Sequence, residues 1–193
     1  MLQFKYSEFP ILETERLLLR RMVSTDAETM FDLRNREEVM QFIARPRPKS
    51  IDEANEMIHK INESIDNKEL IHWAISEKEN PNKLIGTIGF YRTQFENYRS
   101  EIGYLLDSDF WRRGYMYEAV MTAVDFGFTS LGFHSMEGCI DPGNTGSRAV
   151  LLKAGFRKEA LYKENYHFEG KFLDSEVYGL LKSEYLEQMN KRK

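Results

Sequence analysis

Apolar positions recur along this chain with two different periods, and the order of those periods sketches a fold. Residues 16–22 (RLLLRRM) form a short apolar run bounded by polar side chains and predict a first strand. Two helix starts follow in one grammar, Thr25-Asp-Ala-Glu28 and Ser50-Ile-Asp-Glu53. In each, a hydroxyl and a carboxylate three residues apart can satisfy opposite orphan N–H groups of a helix start. The second helix places Ala54, Met57, Ile58, Ile61 and Ile65 on one face. Between the two, Arg45-Pro-Arg-Pro48 cannot continue a helix, because proline lacks the N–H and its ring clashes with the preceding turn. Three strand-like runs come next, at 70–76, 84–91 and 99–106, separated by turn-rich Lys78-Glu-Asn-Pro-Asn82 and by 93–98. They predict an antiparallel meander.

The period then changes abruptly. Residues 100–106 (SEIGYLL) alternate at period two, whereas Met116, Ala119, Val120, Ala123, Val124 and Gly127 recur at helical spacing, predicting a helix over 116–131. A strand is expected at 134–140. The turn Asp141-Pro-Gly-Asn-Thr-Gly-Ser147 delivers Asn144 as the N-cap of a short helix that runs to Gly155. A final hairpin, 157–166 and 171–181, is centred on Glu169-Gly170. Residues 1–15 read as an irregular arm and 183–193 as a ragged tail. With no repeat and no linker, the order β-α-α-β-β-β-α-β-α-β-β predicts one mixed α/β (α+β) domain over 1–193.

Composition narrows the class. A chain of 193 residues that is 41% hydrophobic and 13% aromatic can bury a core of its own. A formal charge of −4 argues against a nucleic-acid surface of the usual basic kind. Cys139 is the single cysteine, so no internal disulfide can form and a reducing compartment is the simpler expectation. No apolar run reaches the roughly 18 residues of a membrane span, and the N-terminal segment lacks a signal-peptide layout, so a cytoplasmic protein without membrane association is expected.

The strand-to-helix junction Asp107-Ser-Asp-Phe-Trp-Arg-Arg-Gly-Tyr-Met-Tyr-Glu-Ala-Val120 carries the first chemistry. The opening turn of a helix exposes unpartnered N–H groups and about half a positive charge, so Arg112, Arg113 and Gly114 sit where a phosphate would be held. The bland alternative is a solvated basic turn that caps a core helix.

Four blocks in order, Leu12-Glu-Thr-Glu-Arg-Leu-Leu-Leu-Arg20, Leu84-Ile-Gly-Thr-Ile-Gly89, Ser100-Glu-Ile-Gly-Tyr104 and Asn144-Thr-Gly-Ser-Arg-Ala-Val-Leu-Leu-Lys-Ala-Gly-Phe156, give the chain its resemblance to a known family. It resembles the GNAT superfamily of acyl-CoA-dependent N-acetyltransferases, and within it the ribosomal-protein N-terminal acetyltransferase (RimJ/RimL-like) branch. The resemblance implies a central, mostly antiparallel mixed sheet flanked by helices and splayed between its fourth and fifth strands, 100–106 and 134–140. Acetyl-CoA would enter that gap. The family's pyrophosphate loop, Gln/Arg-x-x-Gly-x-Gly/Ala, falls on Trp111-Arg-Arg-Gly114-Tyr-Met116, with Trp111 and Met116 departing from it and Met116 predicting a crowded helix start. By resemblance, N–H groups of Arg112, Arg113, Gly114, Tyr115, Met116 and Tyr117 hold the pyrophosphate. The pantetheine arm pairs with the backbone at Leu105 and Leu106, with Asn144 and Ser147 reaching it from the other side; helix capping is the alternative role for Asn144.

Acetyl transfer to an amine needs a neutral nucleophile, a stabilised oxyanion and a proton for the thiolate. Glu137 is the first candidate base, because it precedes Asn144 on the strand where related enzymes place a glutamate; Asp174 and Glu101 are further candidates. The tyrosine that many superfamily members use as the acid is replaced by Leu151. Ser147, Tyr162 or a water could take its place, and a thiolate can also leave without an acid. The oxyanion is expected to meet a backbone N–H near Leu105. Cys139 has no evident catalytic partner and reads as a packed strand residue, while His59, His72, His134 and His167 show no ligand spacing and predict no metal site. The acceptor should lie between residues 42–47 and the final hairpin, with its aromatics Tyr162, Tyr166, Phe168 and Phe172. The expected reaction acetylates a primary amine, foremost the N-terminal α-amine of a protein such as a ribosomal protein. A small-molecule amine (amino acid, polyamine or aminoglycoside) and a non-catalytic acyl-CoA-binding module are the alternatives, and the oligomeric state is open between monomer and homodimer.

Overall fold

The computed structural model describes residues 1–191. Its strands are β1 (Leu12–Glu13), β2 (Leu17–Arg20), β3 (Ile71–Glu77), β4 (Gly86–Gln94), β5 (Arg99–Leu106), β6 (Ser135–Ile140), β7 (Arg157–Phe168) and β8 (Lys171–Leu181). Its helices are α1 (Ala27–Asn35), α2 (Glu37–Met40), α3 (Ile51–Asp66), α4 (Tyr115–Phe126), α5 (Thr145–Ala154) and α6 (Lys182–Lys191). All eight strands join one sheet in the order β1-β2-β3-β4-β5-β6-β8-β7. Every neighbouring pair is antiparallel except β5 and β6, which run parallel.

Strand β3 is buried along almost its whole length because helices cover both faces of the sheet. Ile71, Trp73 and Ile75 point into a core shared with Ala119, Val120, Ala123 and Val124 of α4. Ala74 packs on the opposite face with Ala27 and Met30 of α1 and with Ala54 and Ile58 of α3. Large rings lock the α4 side: Phe90 meets Phe133 edge-on at 5.0 Å, and Trp73 meets Phe90 at 5.8 Å. Each such pair adds about 0.5–1.5 kcal/mol beyond the area it buries. Gly127 lies beneath this cluster, where a Cβ would stand 2.2 Å from Met136 Cε, so the residue must be glycine for the helix to approach the sheet. At that point α4 widens into a π-turn, Gly127–Leu131, in place of the continuous helix expected over 116–131.

Several local expectations are corrected. Thr25 sits inside a short 3₁₀ turn (Ser24–Asp26) and caps nothing. The entry to α1 is instead fixed by buried Asp26, whose carboxylate accepts from the Val23 N–H at 2.9 Å and pairs with Arg20 through both oxygens. At α3, Ser50 Oγ accepts from the Glu53 N–H as expected, but the Glu53 carboxylate reaches back one residue further, to the Lys49 N–H. The arm expected to be irregular over 1–15 contains β1, paired with β2, and its irregular part is packed: Leu2 and Phe4 are buried, and Trp73 Nε1 donates to the Pro10 carbonyl at 2.7 Å. Residues expected to form a ragged tail are helical from Lys182 to Lys191, because Tyr185 buries its ring against Phe128 and donates to Asp125. Arg192 and Lys193 of that predicted tail lie outside the described residues.

Candidate active site

The parallel pair β5 and β6 stays together for only three positions, Arg99 with Ser135, Ser100 with Met136 and Glu101 with Glu137. Beyond Glu101 the strands part. The wedge between them widens into a cleft of about 740 Å³ lined on the sheet side by Glu101, Gly103, Tyr104, Leu105, Gly138 and Cys139. Asn144, Ser147 and Leu151 of the α5 segment close one end; Phe42 to Pro46 and Tyr166 close the other. Tyr166 ties those two acceptor-side walls together by donating its hydroxyl to the Ala44 carbonyl at 3.0 Å.

At the helix start, Gly114 takes φ +80, the left-handed region that glycine enters without strain, and it is the N-cap of α4 with no side-chain hydrogen bond capping the helix. Arg16, just before β2, reaches across to position this turn, donating to the Arg113 carbonyl at 3.0 Å and pairing with Glu118 of the first helical turn at 2.6 Å. Arg112 and Arg113 are exposed. Met116 does not crowd the loop as expected: its side chain turns into the core and leaves only its backbone at the helix start. Tyr115 is held away by a 2.6 Å hydrogen bond to Glu77 and by Arg16 over its ring. The ring of Tyr117 meets Lys153 Nζ at 4.3 Å. Trp111, in place of the family's polar residue, donates its indole N–H to the Leu106 carbonyl at 2.8 Å and so fastens the loop to the end of β5.

Asn144 caps α5, its side-chain oxygen accepting from the Ser147 N–H at 2.9 Å. Ser147 Oγ in turn lies 2.8 Å from the buried Tyr104 hydroxyl, a partner that sequence spacing did not reveal because it sits 43 residues away on β5. Burial pushes the Tyr104 phenol well above its ordinary range. Leu151 is fully buried against Gly138, so the position of the family's acid is part of the packing.

The carboxylates separate clearly. Glu137 is held by Arg99 at 2.5 Å and does not line the cleft. Asp174 lines it, but Lys163 Nζ at 2.8 Å and the Glu164 N–H hold its pKa below the usual carboxylate range. Glu101 lines the cleft at the point where the sheet splits. Burial raises its pKa, the charge of Glu137 adds to the rise, and the Arg92 guanidinium 2.8 Å away opposes it. Tyr162 is exposed on β7, outside the residues lining the cleft. Cys139 lines the cleft with its thiol pushed up to about 11 by burial and the two nearby glutamates, which makes it a poor nucleophile.

The sheet splits between β5 and β6, and a helix that starts at a left-handed glycine follows β5. Residues 16–157 match the family model of the acetyltransferase (GNAT) domain. The chain is 35% identical over 174 residues to the uncharacterized N-acetyltransferase YoaA of Bacillus subtilis (strain 168), a match covering 90% of this chain and 98% of that protein. The structure is similar to the ribosomal-protein-S5-alanine acetyltransferase of Vibrio fischeri, with a TM-score of 0.79, 24% identity and coverage of 91% and 98%. It is also similar to the microcin C7 self-immunity acetyltransferase MccE, whose structure holds acetyl-CoA and AMP, with a TM-score of 0.78, 19% identity and coverage of 87% and 93%. This chain belongs to the GNAT acetyltransferases. It is an enzyme of that class, with acetyl-CoA as the acyl donor.

The residues present suit that donor. A left-handed glycine leaves the helix start bare, and the unpaired edges of β5 and β6 offer backbone groups along the wedge. Among the described residues no helix is long and apolar enough to cross a membrane.

Proposed function

We propose that this enzyme acetylates a primary amine by direct transfer, and that the amine is foremost the N-terminal α-amine of a protein, as in the RimJ/RimL-like branch. The observation that carries the reading is the placement of Glu101, a half-buried carboxylate of raised pKa that lines the cleft at the point where the sheet splits. Acetyl-CoA, when bound, supplies an acetyl group activated as a thioester. The backbone from Arg112 through Gly114, Tyr115 and Met116 to Tyr117 would hold its pyrophosphate, and Leu105, Leu106, Asn144 and Ser147 its pantetheine arm.

Glu101 accepts the proton of the incoming ammonium. An α-amine has a pKa of about 7.7–8.0, so a carboxylate raised above its usual range, acting directly or through water, is a sufficient base. Glu137 contributes by its charge, which helps to keep the Glu101 proton affinity high. Ser147, oriented by Tyr104, supplies the proton to the departing sulfur in the role that Leu151 cannot fill. The likeness to a ribosomal-protein acetyltransferase supports an α-amine acceptor. A small-molecule acceptor is the second reading, favoured by a cleft volume within the range of roughly 300–1,000 Å³ common for small-ligand sites.

The test incubates the protein and acetyl-CoA with a panel of N-terminal peptides and small amines and reads acetylated products by mass spectrometry. Product on at least one α-amine is expected. Acetylation of side-chain amines alone would overturn the α-amine assignment, and no product with coenzyme A binding intact would favour a non-catalytic acyl-CoA-binding module.

A further inference from the structure

Two guanidinium groups in the cleft have no counter-charge among the described residues, and one of them carries a buried, unpartnered nitrogen. Arg34, in the last turn of α1, lines the cleft beside Thr87 and Tyr91. Its Nε is buried with no hydrogen-bond partner, and no carboxylate pairs with its guanidinium among the described residues. The acids of the cleft are already engaged: Glu101 by Arg92, Asp174 by Lys163, and Asp141 by the Gly143 N–H at 2.6 Å. A second guanidinium, Arg45, also lines the cleft and donates only to the Tyr166 hydroxyl, at 3.4 Å.

The groups behind Arg34 supply no anion. Tyr91 is buried and its phenol is pushed far above the ordinary range, so it stays neutral. It hydrogen-bonds to His72, fully buried and pushed down to about 3, which is neutral as well. An arginine does not discharge in a protein, and Arg34, half-buried with its Nε covered, bears a desolvation cost that no partner offsets. Burial and the like charge of Arg45 both lower the Arg34 pKa, as expected for a cation that lacks its anion. A planar guanidinium with unmet donors is shaped for a carboxylate.

We propose that the acceptor carries a carboxylate close to its primary amine, and that Arg34 binds it with Arg45 nearby. The inference rests on the amine-acetyltransferase reading of the same cleft. It narrows the acceptor class and excludes polyamines, whose additional charges are all positive. The carboxylate has two sources, an acidic residue at the start of a peptide or the α-carboxylate of a free amino acid.

The test uses matched pairs on the full-length protein: peptides starting with Asp or Glu against Asn or Gln, and free amino acids against their amides, with spermidine as the cationic control. Coenzyme A release gives kcat/KM, and calorimetry on the coenzyme A-saturated protein gives affinity. In one of the pairs, the carboxylate member is expected to be favoured roughly 30-fold or more, and which pair shows the preference identifies the source. Arg34→Met should reduce that ratio to within a few-fold, whereas Arg34→Lys, which keeps the charge, should retain part of it. Equal handling of carboxylates and amides by the native enzyme, or a ratio that survives in correctly folded Arg34→Met, would overturn the proposal. If nothing turns over yet the calorimetric preference is present and depends on Arg34, the carboxylate site stands and the transferase reading falls. If nothing turns over and no preference appears in binding, both fall.

Discussion

The proposed donor-binding region and the proposed acceptor side are made of different materials. From Trp111 to Tyr117, outside the residues that line the cleft, and at the start of α5, the proposed donor region is mostly backbone: a left-handed glycine, the open end of α4 and strand edges that have parted. The acceptor side is side chains that meet across long sequence separations, such as Tyr166 with the Ala44 carbonyl 122 residues away. Backbone recognition suits a donor that every family member shares. Side chains on loops can change without disturbing the sheet, so they suit an acceptor that differs from one enzyme to the next.

The largest break in this comparison should come from Glu101→Gln, which removes the proposed base but keeps its shape. Its kcat should fall by roughly 10²-fold or more with coenzyme A affinity little changed. The native rate should rise with pH as Glu101 loses its proton, at a pH above that of an ordinary carboxylate, and the variant should lose that limb. A pH–rate profile that keeps the same limb in Glu101→Gln would place the base elsewhere, with Glu137 the next position to change.

Gly114→Val attacks the donor side. A β-branched residue at φ +80 strains the turn by about 1–3 kcal/mol and places side-chain carbons at the bare helix start. Coenzyme A affinity, read by calorimetry, should drop roughly 30- to 100-fold. Unchanged affinity would remove this loop from the donor site.

His72 sharpens the comparison through stability, because it packs beneath the acceptor side. Its pKa is about 3 in the folded chain and 6.5 as a free side chain, so between those values the unfolded chain binds more protons. Its contribution is therefore complete above pH 6.5 and is lost as the pH falls, at about 1.4 kcal/mol per pH unit at most. Urea titrations of native and His72→Gln protein between pH 6.5 and 5 should show a shallower decline in the variant. Parallel curves would mean that the buried histidine is not held neutral.

Tyr166→Phe should have the smallest effect. It removes the hydrogen bond to the Ala44 carbonyl, worth about 1 kcal/mol, together with the longer contact from Arg45 at 3.4 Å. The acceptor KM should rise a few-fold at unchanged coenzyme A affinity, and an equal loss of both would show that the tie also supports the donor side.

Much of the scaffold could be read from local patterns. The Asn144 cap, the end of α5 at Gly155 and the glycine-started α4 all depend on residues within one helical turn, and each lies where its motif places it. Other local signals misled. The Thr25 box lost to Asp26, whose pairing with Arg20 is a contact with another element. The tail became α6 because Tyr185 finds Phe128 and Asp125 across the fold. In the cleft, sequence order ranked Glu137 ahead of Glu101, since the two are equivalent on their strands. Each is held by an arginine, Glu137 by Arg99 and Glu101 by Arg92, and they differ because only Glu101 lines the cleft. Tyr104 ended one of the recognisable blocks, but nothing in that block paired it with Ser147, and Arg34 carried no motif at all.

The sequence by itself determined the family, the order of the longer elements from β2 to β8 and the glycine at which α4 begins, because periodicity, caps and backbone conformation are set by neighbours along the chain. The tertiary structure decided which carboxylate faces the cleft, which hydroxyl stands beside Ser147 and which arginine is left without an anion. Those properties depend on burial and on partners dozens of residues away, which fold into contact only when the sheet closes and then splits at Glu101.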